Sequence, residues 1–196
     1  IYHNAQEKVS KQLGDARLLN QLTKKKIVFN FRKKDILNGG EGAPLAPVFH
    51  QLIVCKKKIK TPVCILNIGG ISNITLVKKP FGFEEIFSRD IGPGNCLVDN
   101  WVRKNSNDKF DCDGKLASLG KKNEIIFEQA QELFNNRRNK DQKSFDVNDF
   151  DISFVRGLSL EDGAATLTEF TASIIGESLL EVFNKEKDLK DIILCG

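Results

Sequence analysis

Two short apolar runs separated by a pair of glycines constrain the fold more than any other feature of this sequence. Residues 63–68 and 71–77 are rich in β-branched and other apolar residues, and Gly69-Gly70 lies between them. This spacing is typical of two antiparallel strands joined by a tight connection, so we predict a β-hairpin with a primed turn. Residues 27–31, which follow three lysines, form another β-prone run and predict a further strand.

Longer periodic segments alternate with these runs and predict helices. Residues 43–55 contain two prolines and indicate a loop that enters a helix, while apolar residues recur at helical spacing from Asn123 and again from Ser159. Residues 139–151 are polar and predict a surface loop, and a strand-like apolar run begins at Asp191. Strands interleaved with helices in this order indicate the α/β class, with a mixed sheet.

Charge and apolar content exclude several classes of protein. Thirty Lys and Arg residues oppose 26 Asp and Glu residues, and the resulting formal charge of +4 is spread along the chain. Because nucleic-acid modules concentrate their positive charge on one face, we expect no nucleic-acid partner. No apolar run approaches the roughly 18 residues of a membrane span. Residues 1–10 also lack the regions of a signal peptide, so we expect no membrane association.

The cysteine, histidine and methionine counts add three expectations. The five cysteines form no Cys-x-x-Cys pair and are odd in number, which favours reduced thiols in the cytoplasm over a zinc site or a disulfide framework. Two histidines are too few to suggest a histidine-based metal site, so any metal would be oxygen-bound Mg²⁺. The sequence contains no methionine, and we therefore expect it to be a fragment of a longer protein.

Three glycine-rich segments, residues 38–44, 67–70 and 90–95, give the first indication of chemistry. Glycines at such places let backbone N–H groups approach an anion closely. No Gly-Lys-Ser or Gly-Lys-Thr occurs, and the third glycine of a dinucleotide loop is missing, so a P-loop enzyme and a Rossmann dehydrogenase are disfavoured. Taken singly, each segment is more often an ordinary tight turn.

Two charged residues are candidates for a functional role. Asp90 precedes a rigid Ile-Gly-Pro-Gly segment, where a fixed carboxylate can orient and deprotonate a water or hydroxyl. The alternative is an Asp that caps the turn or pairs with Arg89. Arg32, at the exit of the strand predicted over 27–31, can clamp a carboxylate or phosphate with its guanidinium. Its alternative role is a solvated partner of Asp35.

Taken together and in order, several segments resemble the anhydro-N-acetylmuramic acid kinases. They extend over almost the whole chain, and the match of several motifs in the same order makes the resemblance specific. The segments are residues 31–35, 39–45, 47–50, 66–73, 90–95 with Asp99 and Trp101 behind them, 165–172 and 194–196.

The resemblance implies an actin-like, ribonuclease H-like ATPase fold with two lobes, of which this chain is the central part. Residues 1–60 are expected to end the N-terminal lobe with its substrate-side loops, and residues 61–196 to begin the C-terminal lobe with its phosphate hairpin. The implied reaction uses ATP and Mg²⁺: water opens the bridge of 1,6-anhydro-N-acetylmuramic acid, and the released O6 takes the γ-phosphoryl group. The product, N-acetylmuramic acid 6-phosphate, belongs to peptidoglycan recycling, and a homodimer is also implied.

The resemblance further implies roles for individual residues. Asp90 corresponds to the base that activates the water, and Arg32 and Asn95 are expected near the sugar. No residue is expected to ligate a metal. The residues assigned to the nucleotide and phosphate surroundings are Asn67, Gly69, Gly70, Gly92 and Gly94.

Departures from the family pattern leave a second function open. The family's Gly-Thr-Ser-x-Asp-Gly phosphate loop is absent, Asn30 replaces the usual Asp, and residues 143–146 keep only two residues of a Lys-Ser-Thr-Gly-Arg-Glu signature. The fragment alone is therefore expected to be inactive. The alternative function is that of a non-catalytic sugar-binding or regulatory relative that kept Arg32 and Asp90 but no longer uses a nucleotide.

Overall fold

A computed structural model describes residues 2–4, 7–40, 42–43, 45–137 and 145–196. The chain divides into two compact units, Ile1–Ala46 and Pro47–Gly196. Lys143 and Ser144, the retained start of the family signature, lie outside the described residues.

The first unit contains two short strands and two helices. Strand β1 (Tyr2–Asn4) pairs antiparallel with β2 (Val9–Lys11), and helices α1 (Ala16–Thr23) and α2 (Phe31–Leu37) follow. Asp15 caps α1, because its carboxylate accepts the N–H groups of the first turn.

The predicted strand over residues 27–31 is wrong. Residues 27–30 have no regular structure, Asn30 adopts a left-handed conformation with φ of 65°, and α2 begins at Phe31. Val28 and Phe29 are exposed, so these β-prone residues neither join a sheet nor fill a core. A strand is stable only where a partner strand supplies hydrogen bonds, and local propensity does not provide one. Arg32 consequently lies in the first turn of a helix and not at a strand exit.

The second unit is built on a mixed sheet, as the sequence predicts, and this sheet has four strands. Its strands are β3 (Val63–Ile68), β4 (Ile71–Val77), β5 (Ile86–Pro93) and β6 (Asp191–Cys195), in the order β5-β4-β3-β6. Neighbours are antiparallel except for β6, which runs parallel to β3.

The predicted hairpin is confirmed, but its primed turn is wrong. Ile68 pairs with Ser72, so three residues separate the last paired positions. Primed turns require positive φ, and neither Gly69 nor Gly70 has it. The turn is therefore longer by one residue than a two-residue connection, and this shifts the register of the whole hairpin.

In the part of the second unit that the structure describes, the α-helices are α3 (Pro47–Lys57), α4 (Cys96–Asn105), α5 (Lys115–Leu119), α6 (Glu124–Arg137) and α7 (Leu160–Lys185). The helices predicted after residue 43, from Asn123 and from Ser159 are thus confirmed as α3, α6 and α7. Ser159 caps α7 by accepting the Asp162 N–H at 3.0 Å. The described part of the predicted loop 139–151 contains a 3₁₀ turn at Val147–Asp149.

Helices α7 and α3 cover opposite faces of the sheet. Side chains of alternate sheet residues, including Ile74 and Leu76, pack with Ile175 and Val182 of α7. Val63, Ile65 and Val77 point to the other face and pack with Val54 of α3. A third cluster around Trp101 joins α4 and α6 to α7. Within the described ranges, no helix is long and apolar enough to cross a membrane.

Candidate functional site

A β-bulge in the outer strand β5 sets the direction of Asp90. Ser72 pairs with Gly92, whereas Asn73 pairs with Asp90, so Ile91 is the extra residue on the bulged strand. Ile91 is fully buried on the α7 side, and Asp90 points to the α3 side with only 8% of its surface exposed. Bulges commonly redirect a side chain at functional sites. Here the bulge directs a carboxylate away from the apolar core beneath α7.

Asp90 belongs to a line of polar residues that crosses the sheet, one from each strand. Asn73 is opposite Asp90, Asn67 is opposite Asn73, and Cys195 is opposite Asn67. Directly paired residues share a face and have Cβ atoms about 4.5–5.5 Å apart in antiparallel pairs. We call Asp90, Asn73, Asn67 and Cys195 the polar row. Both asparagines keep part of their surface exposed, whereas Asp90 is almost fully buried.

The Asp90 carboxylate is held by the segment that leads into the 3₁₀ turn at Val147–Asp149. The Phe145 N–H donates to Asp90 Oδ2 at 2.8 Å. Arg89 points to the other face of β5 and donates to Glu181 of α7 at 2.7 Å, so the side chain of Arg89 is engaged there. A backbone N–H fixes the direction of one carboxylate oxygen without adding a charge to the site.

The start of α4 is joined to the glycine turn of the hairpin. The N–H groups of Gly94 and Cys96 donate to Gly70 O at 3.0 and 3.2 Å, and the Asn95 N–H donates to Gly69 O at 2.7 Å. The first donors of a helix have no partner within the helix, and here the turn supplies acceptors. These three N–H groups are therefore occupied by protein. The Asn95 amide also reaches Ile68 O at 3.4 Å.

Gly92 and Gly94 are required for close packing. A Cβ on Gly92 would lie 2.6 Å from Cγ2 of Ile174 in α7. A Cβ on Gly94 would overlap the carbonyl oxygen of Gly69 and lie 3.2 Å from Ser72 Oγ. The same Ser72 hydroxyl donates to Pro93 O at 2.9 Å inside the core. Both glycines thus let β5 and α4 approach their neighbours.

Next to the polar row, on the same face of the sheet, a second group of polar residues anchors α3 to the strands. His50 Nδ1 lies 2.8 Å from Thr75 Oγ1, and Ser88 Oγ donates to Ile74 O at 2.8 Å. Thr75 Oγ1 and Ser88 Oγ are 3.4 Å apart. Burial lowers the pKa of His50 below its usual 6.5. His50 is therefore packed between α3 and the sheet, and a neutral ring suits this hydrogen bond.

Arg32 lies in the first unit, where it folds a glycine loop onto α2. Its guanidinium Nη1 donates to Gly42 O at 2.6 Å, and Asp35 Oδ2 accepts the Gly42 N–H at 2.7 Å. Gly42 has φ of 76°, and a Cβ there would lie 2.8 Å from Ile36 Cδ1. Arg32 and Asp35 therefore hold Gly42 from both sides.

The structure brings together most of the residues that the sequence singles out in the second unit. Asn67 and Asp90 lie in the polar row, and Gly69 and Gly70 contact the segment that contains Gly94 and Asn95. Sequence reasoning missed Asn73 and the Phe145 N–H. Asn67 and Asn73 lie three residues on either side of Gly70, and this symmetry about the turn could have revealed their pairing. Among the described residues, no group of acidic, Cys or His side chains is arranged to hold a metal ion.

Comparison with known proteins identifies the family of this chain. The family model "Anhydro-N-acetylmuramic acid kinase" matches residues 1–196. An anhydro-N-acetylmuramic acid kinase of Pelagibacter ubique (strain HTCC1062) is 54% identical, over 100% of this chain and 52% of the relative.

Two further relatives carry the same name. The protein of Rhodopseudomonas palustris (strain ATCC BAA-98 / CGA009) is 38% identical over 89% of this chain and 47% of the relative. That of Gluconobacter oxydans (strain 621H) is 37% identical over 93% and 51%. The chain spans about half the length of the curated relatives it matches. On the match over its full length, the chain belongs to the anhydro-N-acetylmuramic acid kinase family.

Proposed function

We propose that the protein carrying this sequence phosphorylates 1,6-anhydro-N-acetylmuramic acid while hydrolysing its anhydro bridge. A water oxygen bonds to C1 as the bond from C1 to O6 breaks, and the water gives a proton to Asp90. The released O6 bonds to the γ-phosphorus of ATP, and the bond from that phosphorus to the β-phosphate oxygen breaks. The products are N-acetylmuramic acid 6-phosphate and ADP.

The observation that carries this proposal is the Asp90 carboxylate at the end of the polar row. It is largely buried, it is held by the Phe145 N–H, and it shares its face of the sheet with two half-buried amides. A general base must be fixed in direction and must face a space that a substrate can enter. The Phe145 N–H meets the first need, and the partly exposed Asn67 and Asn73 indicate the side from which we propose that the sugar approaches.

The glycine turn is the proposed neighbour of the nucleotide phosphates. Its carbonyl oxygens accept hydrogen bonds from the N–H groups at the start of α4, and these bonds hold the turn in place. We assign phosphate contact to the turn itself, at Gly69 and Gly70, and a supporting role to Gly92, Gly94 and Asn95, because Gly94 and Asn95 already donate their N–H groups to the turn. Asn67, which adjoins the turn, completes this group.

Mg²⁺ is proposed to enter with ATP, since the described residues offer no cluster of metal ligands. A bound Mg²⁺ would neutralise phosphate charge during phosphoryl transfer. Arg32 is proposed to act on the sugar side by shaping the loop at Gly42. The five cysteines are free, in keeping with a cytoplasmic location, and a homodimer remains a prediction.

The test is product analysis in ¹⁸O-water with the protein at its encoded length, ATP, Mg²⁺ and the anhydro sugar. We expect a 6-phosphate product that carries ¹⁸O at C1. Asp90→Asn preserves the size of the side chain and an acceptor for the Phe145 N–H, so we expect it to fold and to be slower by at least about 100-fold.

Each other outcome has a defined meaning. Product from both proteins would keep the kinase and remove Asp90 as its base. Sugar binding without product from either protein would favour the non-catalytic relative. Neither binding nor product would overturn the proposed function.

A further inference from the structure

Asn73 carries a half-buried amide, and no neighbour among the described residues uses its hydrogen-bonding groups. It lies in β4, an inner strand of the sheet, where asparagine is disfavoured relative to β-branched residues. Within the described parts of the chain, its side chain makes no hydrogen bond, and it joins none of the three apolar clusters. Packing and local hydrogen bonding therefore do not account for this residue.

The position of Asn73 relative to Asp90 is fixed by the sheet. The two residues are directly opposite each other on β4 and β5, on the face of the sheet against which α3 packs through Val54 and His50. A single small ligand group can therefore contact both side chains. On the other side of Asn73 lies Asn67, so the amide occupies the middle of the polar row.

An attacking water needs two acceptors to be held in one orientation. It carries two hydrogens, and its base takes only one of them. If a second acceptor binds the other hydrogen, a lone pair of the water oxygen points toward C1 of the sugar. The side-chain oxygen of asparagine can be this acceptor, because it has two lone pairs.

We propose that Asn73 holds the nucleophilic water against Asp90 through its side-chain oxygen. This inference rests on the proposed function and adds a second residue to its hydrolytic half. Asn73 is a catalytic residue in this reading because it touches the reacting water, and it has no part in binding ATP.

The test combines two substitutions at this position with steady-state kinetics. In Asn73→Ala the water loses one anchor, so we expect kcat to fall about 10- to 100-fold while KM for the sugar and for ATP stays unchanged. In Asn73→Asp a second carboxylate faces Asp90 and disfavours its ionisation, so the acidic limb of the kcat profile should move to higher pH.

The control is Asn184→Asp, the same chemical change at an exposed position of α7, on the opposite side of the sheet. It should leave kcat and its pH profile unchanged. The side chains of His50 and Cys195, which lie on this face of the sheet, are identical in all variants, and the unfolding transition of Trp101 confirms that each variant folds.

The outcomes separate the inference from the function on which it rests. Unchanged kcat and pH profile in both Asn73 variants, with an active wild type, would overturn the inference alone. A raised KM for the sugar at constant kcat would also overturn it, because Asn73 would then bind the sugar and not the water. A wild type that makes no product would overturn the proposed function, and the inference with it.

Discussion

Gly94 shows how one missing side chain permits the contact between the glycine turn and α4. A Cβ at this position would overlap the Gly69 carbonyl, which also accepts the Asn95 N–H. We expect Gly94→Ala to lower the free energy of unfolding by about 1–3 kcal/mol, because neither backbone can move without breaking hydrogen bonds. Urea denaturation followed by the fluorescence of Trp101, the single tryptophan, measures this change.

Gly176 provides the matched control for this substitution. It lies within α7, and an added Cβ would meet no atom within 4 Å. Because alanine favours a helix more than glycine does, Gly176→Ala should stabilise the protein by about 0.5–1 kcal/mol. If both substitutions changed the free energy of unfolding equally, the contact with Gly69 would not restrict the size of the side chain at position 94.

His50 makes the stability of the second unit depend on pH. Its pKa is lowered by burial, so below about pH 6.5 the unfolded chain binds more protons at this residue than the folded one does. The stability that neutral His50 provides is therefore present above pH 6.5 and is lost as the pH falls through the folded pKa.

We expect His50→Asn to weaken this dependence. Asparagine retains a polar group near Nδ1 that can bond Thr75 Oγ1, but it does not titrate. Between pH 7.5 and pH 5, the urea midpoint of the wild type should fall more than that of the variant. If the urea midpoints of the two proteins fell by the same amount, groups other than His50 would cause the pH dependence.

Among the elements, those with a regular local pattern were predicted, whereas strand register and irregular strands were not. The apolar stripe and the Ser159 cap identified α7, and the two β-branched runs identified the hairpin. The strand expected at residues 27–31 failed for lack of a partner, and β5 was not assigned as an element because its bulge and Gly92 interrupt the alternation of a strand.

The error in the turn explains why Asn73 was missed. A two-residue turn at Gly69-Gly70 would place Asn67 opposite Ser72, whereas the observed register places it opposite Asn73. A slip of one residue moves a side chain to the other face of the sheet. Asp90 and Asn67 were found through their motifs, but their common neighbour depends on a register that the sequence alone did not determine.

The N-cap of α7 is a prediction at the scale of this element. Ser159 Oγ accepts the Asp162 N–H, and α7 packs against both the sheet and the Trp101 cluster. Ser159→Ala should lower the free energy of unfolding by about 0.5–2 kcal/mol, measured by urea denaturation. Ser159→Asp, which restores an acceptor, should recover most of the loss; no recovery would mean that capping is not the cause.

At the scale of the whole molecule, buried apolar residues are distributed unevenly between the two units. All three apolar clusters lie within Pro47–Gly196. In the described part of Ile1–Ala46, Ile36 is the only apolar side chain that is almost fully buried, and Leu13, Leu22 and Phe29 are more than half exposed. A chain of fewer than about 50 residues rarely folds without a core, a metal or disulfides.

This distribution predicts different behaviour for the two units when they are made separately. Residues 47–196 should fold alone, with a cooperative urea transition in Trp101 fluorescence, because their cores and the polar row require no residue before Pro47. Residues 1–46 should give the circular dichroism of an unfolded chain, since one buried isoleucine does not offset the entropy of ordering the backbone. A cooperative transition in residues 1–46, or none in 47–196, would contradict the assignment of the folding core to the second unit. If the prediction holds, the Arg32 and Asp35 contacts that shape the Gly42 loop form only when the first unit is supported by other parts of the protein.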